Sequence, residues 1–217
     1  MAEPMPMKRA FVPLYLGAVV RPRRALEALL TTPKRGQYAA LAVALTCIAY
    51  GLVYFFLARN GGRPTVFRPW LAIPAEGYYR FNQYVVVPSI LLAWVSAAGF
   101  THLTARALGG TGAYEDTLIV LGFGLSLATW WTGVHDVVTT FLGFVGVIDQ
   151  RAYEDAMSSP TPFRTMLWIL MVGYATWFVL MFTKGVGAAH RLPVGRAAVA
   201  GTVGFVVYQL LFVIFNR

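Results

Sequence analysis

Five long stretches without a charged residue or a histidine dominate this chain and limit what it can fold into. They have 18 to 23 residues each and cover Gly36–Ala58, Phe81–Thr101, Thr117–Val134, Thr165–Thr183 and Ala197–Asn216. A bilayer core about 30 Å thick needs about 20 helical residues at about 1.5 Å each, so every stretch is long enough to cross it. Hydrocarbon offers no partner to backbone groups, so the crossing segments must be helical.

The composition supports a membrane protein, since 58% of the 217 residues are hydrophobic and only 12% are charged. A soluble domain carries about 25% charged residues. Apolar residues do not alternate with polar ones in the five stretches, which argues against an outer-membrane barrel. We therefore predict an all-α polytopic membrane protein, with a cytosolic basic segment at 1–35 and a five-span domain at 36–217. The expected spans are about 36–58, 81–103, 117–135, 164–184 and 196–216.

Two shorter apolar runs need separate interpretations. Ala10–Val20 follows two cations in the manner of a signal peptide, but it lacks an A-x-A cleavage site and continues into Arg21-Pro-Arg-Arg24, so we expect no cleavage. Val137–Ile148 is too short to cross a bilayer, which favours an interfacial or re-entrant segment. The alternative is a tilted third helix of about 30 residues.

The distribution of cations predicts the orientation. With the N-terminus inside, eleven cations lie in inside segments: Lys8, Arg9, Arg21, Arg23, Arg24, Lys34, Arg35, Arg106, Lys184, Arg191 and Arg196. Seven lie outside: Arg59, Arg63, Arg68, Arg80, Arg151, Arg164 and Arg217. This bias favours a cytoplasmic N-terminus and an extracytoplasmic C-terminus in a bacterial or archaeal cell (inner) membrane.

The N-terminal segment predicts a short amphipathic helix that lies in the headgroup plane. Pro22 suits its first turn and Pro33 ends it. Its apolar stripe is Leu26, Leu29 and Leu30, and its candidate contacts with anionic headgroups or a partner protein are Arg21, Arg23, Arg24, Lys34 and Arg35. The net charge of +9 would also suit nucleic acid, but no aromatic-basic module accompanies it, so we expect no nucleic-acid binding.

A glycine-rich turn connects the second and third spans and is the other candidate contact surface. Gly109, Gly110 and Gly112 permit positive φ, and Tyr114 follows them. Thr111 is a candidate cap for the next helix, whose first turn carries the anions Glu115 and Asp116. The spacing does not match a phosphate-binding loop.

These features together resemble the Yip (Ypt-interacting protein) domain family in its short prokaryotic form. The resemblance rests on the Pro-bounded helix at Val20–Pro33, the turn Ala107-Leu-Gly-Gly-Thr-Gly-Ala-Tyr114 and the later span with Trp168–Gly173, and it covers most of Val20–Phe215. It implies five helices, a cytosolic N-terminus and no enzymatic activity. Eukaryotic members bind Rab-type GTPases and assist vesicle traffic. This chain has no long acidic cytosolic domain of the eukaryotic kind, and its Val134–Pro162 connection is longer than expected.

Catalytic and metal-binding candidates are few. His102 and His190 fall at the inner side and His135-Asp136 at the outer side, so one metal cannot take both groups, and paired histidines at matched depth for haem are not expected. We interpret Cys47 as an apolar packing residue. We expect no catalytic site, no metal and no cofactor.

Small residues four apart predict close helix packing. They occur at Ala197 and Gly201, at Ala200 and Gly204, and at Ala40 and Ala44. Packing within the bundle is expected, with homodimerisation as another use of the same surface. The functional hypotheses are a non-enzymatic scaffold or partner-binding protein, then a small permease or lipid-handling transporter, then an anchor subunit of a larger complex. The permease has its only support in Pro88, Gly122, Gly124 and Gly173.

Overall fold

The structure is a computed structural model, and it describes residues 10–66, 70–71 and 73–216. Eight α-helices make up its regular secondary structure. They are α1 (Phe11–Val20), α2 (Pro22–Leu30), α3 (Arg35–Arg59), α4 (Ala75–Ala107), α5 (Tyr114–Phe144), α6 (Gln150–Ser158), α7 (Pro162–His190) and α8 (Val194–Asn216). Helices α3, α4, α5, α7 and α8 are long and apolar enough to cross a membrane. The predicted all-α fold with five spans is confirmed.

Helix α5 lies at the centre of the bundle. It packs against α3, α4 and α7, while α8 packs against α4 and α7. Every residue from Ile119 to Thr129 is buried. A helix buried on all sides for three turns has no face left for lipid, so the other spans pack around α5.

The expectation of a separate interfacial segment at Val137–Ile148 is wrong, because α5 continues without a break to Phe144. The helix has 31 residues, which matches the tilted-helix alternative. It ends at Val145 in a Schellman motif, in which Gly146 has φ +76 and the amide of Val147 donates to the carbonyl of Leu142 at 2.9 Å. The apolar run after His135 and Asp136 is therefore mostly the last two turns of the third span.

Helices α1 and α2 form an N-terminal hairpin (residues 11–30) that packs on the bundle. Phe11 and Tyr15 place their rings 6.0 and 5.4 Å from that of Phe123 on α5. The Tyr15 hydroxyl hydrogen-bonds the Ser126 hydroxyl at 2.7 Å. Ser126 lies ten residues, or about 15 Å of helix, beyond Asp116. The hairpin therefore reaches between the spans instead of lying only on the membrane surface.

Helix α2 is amphipathic, as predicted, but protein covers its apolar side. Leu26 and Leu29 are completely buried, and the helix packs against α1, α5 and α7. Leu30 is half-buried. The expected contact of the Leu26 and Leu29 stripe with lipid is thus replaced by contact with α1, α5 and α7, which together cover it.

Candidate functional site

A cavity of about 430 Å³ lies at the end of the bundle where α3 ends and α4 begins, which we call the open end. Helices α3 to α8 and the connection between α3 and α4 all contribute to its walls. It extends to Tyr50, nine residues before Arg59, which corresponds to about 13 Å along α3. Its volume is in the range of about 300–1,000 Å³ that small-molecule sites occupy.

Tyrosine is the commonest residue type in the described lining of this cavity. The tyrosines among its lining residues are Tyr50, Tyr54, Tyr78, Tyr79, Tyr153 and Tyr174. Three of them are in mutual contact, since the ring centroid of Tyr79 lies 5.8 Å from that of Tyr54 and 5.5 Å from that of Tyr78. These residues come from α3, α4, α6 and α7, so the sequence separates them by as much as 124 positions.

One wall carries a hydrogen-bonded relay. The Tyr153 hydroxyl lies 2.7 Å from Nε2 of His135, and Nδ1 of the same ring lies 3.0 Å from the Asp136 carboxylate. A carboxylate only accepts hydrogen bonds, so Nδ1 of His135 is the donor to Asp136. The pKa of Tyr153 is raised, first by burial and then by the negative charge of Asp136. The relay therefore keeps a carboxylate beside the cavity.

A second carboxylate, that of Glu154, ties α6 to the α3–α4 connection. Its Oε2 accepts from the amide of Arg63 at 2.8 Å, and its Oε1 accepts from Gln150 at 3.1 Å. The hydroxyl of Thr65 donates to the carbonyl of Glu154 at 3.0 Å. Burial raises the pKa of Glu154, and its two hydrogen bonds offset part of that shift. Helix α6 and the connection thus form one cap over the cavity.

Asn216 lines the cavity from the end of α8 and is almost fully buried. Its amide nitrogen donates to the Ser89 hydroxyl at 2.8 Å and to the carbonyl of Phe212 at 2.9 Å. Its side-chain oxygen has no hydrogen-bond partner within the described part of the chain. A buried acceptor of this kind is costly when nothing bonds it, so Asn216 is a strained point of the cavity wall.

The opposite end of the bundle, where α3 begins and α4 ends, is closed by the glycine-rich turn. Helix α4 ends in a Schellman motif in which Gly109 has φ +90 and the amide of Gly110 donates to the carbonyl of Ala105 at 2.8 Å. A Cβ on Gly110 would lie 2.8 Å from Nδ1 of His190, and one on Gly112 would collide with the carbonyl of Ala189. Gly109 is required by its dihedral angle, and the other two by space.

The expected cap by Thr111 is wrong. The residue before α5 is Ala113, which provides no side-chain cap, and the amide of Thr111 donates to the carbonyl of His190 at 3.3 Å. The turn is used to bind the end of α7 instead of starting α5. Glu115 and Asp116 do lie in the first turn of α5, as predicted.

Two histidines meet at the closed end, contrary to the expectation that no pair shares one depth. The ring centroids of His102 and His190 are 5.4 Å apart, and Nε2 of His190 lies 2.7 Å from the Thr117 hydroxyl. The pairing arises because α7 runs as far as His190 and so ends beside α4. The glycine-rich turn packs directly against the His190 ring. No group of three or more His, Cys, Asp or Glu side chains suited to a metal occurs in ranges 10–66, 70–71 and 73–216.

The cationic residues predicted as contacts fall into exposed and paired sets. Arg21, Arg24 and Lys34 are exposed, and Arg23 forms an exposed ion pair with Glu27 at 2.8 Å. Arg35 is partly buried and pairs with Asp116 at 2.7 Å and with Glu115 at 3.3 Å. These pairs join the start of α3 to the start of α5. Lys8, Arg9, Arg68 and Arg217 lie outside the described residues.

The predicted contact residues of the turn are also divided. Gly109 is exposed, Gly110 is buried and Gly112 is half-buried. Tyr114 is 39% exposed, and its hydroxyl donates to the carbonyl of Val95 at 3.4 Å. The Arg196 guanidinium donates to the carbonyl of Leu108 at 3.1 Å. The exposed part of the turn is thus a narrow ridge beside the Arg35 ion pairs.

The glycines that would support a permease are packing positions. A Cβ on Gly122 would lie 2.8 Å from the Trp94 ring, and one on Gly173 would collide with the Trp131 ring. On α8, Gly201 meets the backbone of α7 at Thr183, and Gly204 meets the Thr101 side chain. The small residues of the last span are therefore used within the bundle, whereas Ala40 and Ala44 on α3 are exposed.

The architecture agrees with the family comparison. Residues 16–215 match the model of the Yip1 domain. The chain belongs to the Yip1 domain family. Searches among curated proteins and among solved structures find no match. Within this Yip1 domain, sequence reasoning identified the turn and the N-terminal cations, but it missed the cavity. The sequence feature that could have indicated the cavity is the long Val134–Pro162 connection, because it contains α6, which lines the cavity.

Proposed function

We propose that this Yip1 domain protein is a non-enzymatic, partner-binding protein of the membrane. The observation that supports it best is a set of exposed cations that we call the cationic face: Arg21 and Arg24 at the start of α2, and Lys34 at the start of α3. All three are exposed, and none makes an ion pair with another described residue. The proposed partner is an acidic surface of another membrane protein or of a cytosolic protein at the membrane.

Burial of the hairpin supports this role, because it presents the cationic face rigidly. Ala25, Leu26 and Leu29 are completely buried, so the exposed side of α2 cannot rotate away from solvent. Exposed charges that are held in place increase the rate of association with a complementary surface and reject partners of like charge. The ion pairs of Arg35 with Glu115 and Asp116 place the ridge of the glycine-rich turn next to this face.

A permease is the second candidate, favoured by the cavity at the open end. A transport path would have to continue from the cavity past α5 to the closed end. The continuous burial of Ile119–Thr129 leaves no such path in this conformation. Substrate flux through purified protein in proteoliposomes that is lost on Gly122→Trp would favour the permease over the partner-binding protein.

The proposed orientation places the cationic face in the cytoplasm of a bacterial or archaeal cell, with the C-terminus outside. It follows from the excess of cations on the N-terminal side. A reporter fused after Arg217 should behave as extracytoplasmic, and one inserted at Gly109 as cytoplasmic. If both report the same side, the orientation and the five crossings are wrong together.

The experiment that tests partner binding is photo-crosslinking in native membranes. A photoreactive residue at Glu27, on the exposed side of α2, should give a discrete protein adduct. Replacement of Arg21, Arg24 and Lys34 by Gln should remove most of that adduct, and added salt should weaken it. The matched control replaces Arg59, Arg80 and Arg164 at the open end and should leave the adduct unchanged. An adduct only with anionic lipid would replace the partner-binding role by membrane anchoring.

A further inference from the structure

We propose that the cavity at the open end binds a methylated ammonium group, carried either by a soluble amine or by a lipid headgroup. The inference is independent of partner binding, since Arg21, Arg24 and Lys34 of the cationic face are not among the residues that line the cavity. Three features of the cavity lead to it: its aromatic rings, its balance of charge and the way its carboxylates are already hydrogen-bonded.

The aromatic lining suits a cation. The negative face of an aromatic ring attracts cations within about 6 Å, and several rings around one space form a cage for quaternary ammonium groups. Tyr54, Tyr78 and Tyr79 form a continuous group of rings on α3 and α4, and Tyr174 and Tyr153 face the same space from α7 and α6. Tyrosines thus surround the space from four helices, together with aliphatic side chains such as Val53, Leu57 and Met171.

The charge balance excludes an anion as the preferred ligand. The chain has 18 basic and nine acidic residues, yet among the described residues the cavity is lined by the acidic pair Asp136 and Glu154 and by a single Lys or Arg, namely Arg63. The Arg63 guanidinium is directed to Asp155, 3.9 Å away, and is about half exposed. A binding site for phosphate or carboxylate normally has converging Arg or Lys donors, and no such convergence occurs among the described residues of the lining.

The hydrogen bonds favour a methylated ammonium over one with N–H groups. Both oxygens of Glu154 already accept, from the Arg63 amide and from Gln150, and one oxygen of Asp136 accepts from His135. A primary ammonium brings three donors that each need an acceptor. A quaternary methylated ammonium such as choline has no N–H group and needs none, because its charge is spread over its methyl groups and is balanced by ring faces and nearby carboxylates.

Calorimetric titration of the full-length protein in phosphatidylglycerol nanodiscs tests the proposal. The probe is choline, and its control is 3,3-dimethylbutan-1-ol, which has the same shape without the charge. Choline should bind, and the neutral analogue should bind at least about tenfold more weakly. Absence of choline binding, or equal binding of the two compounds, would overturn the proposal.

Variants of the cavity separate a ligand site from a structural role. Tyr79→Leu should weaken choline binding about tenfold, whereas Tyr79→Phe keeps the ring face and should retain it. Asp136→Asn should also weaken binding about tenfold, and it tests the proposal even if Tyr79→Leu fails to fold, because Asp136 is 38% exposed. Glu115→Gln, at the closed end, should leave binding unchanged. Full retention of choline affinity by Asp136→Asn would contradict the site.

Phosphatidylcholine nanodiscs distinguish the two sources of the group. A choline affinity at least tenfold lower than in phosphatidylglycerol means that the lipid headgroup already occupies the cavity. An equal affinity in both lipids means that the ligand is a soluble amine. Both results support the ammonium site, and they differ only in where its ligand comes from.

Discussion

The two ends of this bundle are built from the same five spans and yet have opposite properties. At the closed end, backbone lies against backbone, with Gly112 against Ala189 and the amide of Thr111 bonded to the carbonyl of His190. At the open end, the helices separate around a cavity whose cap is held by side chains, chiefly Glu154 and Gln150. One end is filled by main chain, and the other is bridged by long side chains.

This difference shows where the Yip1 domain is rigid and where it has room for a ligand. Backbone contacts cannot move without shifting whole helices, so they fix the relative positions of α4, α5 and α7. Side-chain bridges rearrange at small cost and leave space between the helices. The same kind of substitution should therefore have unequal effects at the two ends, and the following experiments measure that inequality.

The largest effect is expected for Gly112→Ala at the closed end. Its Cβ would collide with the carbonyl of Ala189, which is backbone and cannot give way, so we expect a loss of about 3 kcal/mol of unfolding free energy. Thermal denaturation in detergent measures it. Gly195→Ala is the control, because nothing lies within 4 Å of its Cβ and alanine favours the helix. A loss no larger than in the control would mean that the turn is not tightly packed.

A smaller loss, about 2 kcal/mol, is expected for Thr117→Val. The change keeps the shape of the side chain but removes the hydroxyl that bonds Nε2 of His190 at 2.7 Å, and both residues are buried. An unpaired buried nitrogen then carries the cost of desolvation. Thr139→Val, whose hydroxyl bonds only the backbone of its own helix, serves as the control in the same denaturation assay. Equal losses in the two variants would mean that the hydrogen bond between Thr117 and His190 does not stabilise the closed end.

At the open end, Gly143→Ala should cost only about 1 kcal/mol. Its Cβ would come close to the side-chain ends of Gln150 and Asn60, which are flexible and can move aside. The comparison with Gly112→Ala is direct, since both are Gly-to-Ala changes with close contacts and neither glycine has positive φ. If the two substitutions destabilise the protein equally, the contrast between backbone and side-chain closure fails.

The smallest effect is a change in pH dependence for Glu154→Gln. Because burial raises the pKa of Glu154, the folded state favours its protonated form. Its contribution to stability is complete below the unfolded pKa of about 4.5 and is lost as pH rises through the higher folded pKa. The variant should therefore be more stable relative to wild type at pH 7 than at pH 4, as measured by melting temperature. Thr65→Val weakens the cap without changing the carboxylate. It should therefore lower the melting temperature by the same amount at pH 4 and at pH 7.

Much of the fold could be predicted because it depends on local properties of the sequence. Uncharged runs of about 20 residues require spans wherever they occur, and the positive φ of Gly109 follows from the need to end α4 sharply. The Pro22 start and the acidic first turn of α5 are equally local. The predictions from sequence were wrong where contacts with other parts of the chain determined the local structure. The run after Asp136 is too short to cross alone, but it continues α5, and Thr111 bonds the end of α7 in place of capping a helix.

The two candidate sites also differ in whether the sequence alone could show them. The cations of the N-terminal hairpin were visible in the sequence, because clustered charge needs no partner to be recognised. The sequence by itself determined the five helical spans and the family, since hydrophobic length and turn residues are properties of continuous segments. Only the tertiary structure decided that Leu26 and Leu29 face protein, that His102 meets His190, and that tyrosines from four helices surround one cavity. His102 and His190 are 88 positions apart and Tyr50 and Tyr174 are 124 apart, and no pattern along the chain encodes such distances.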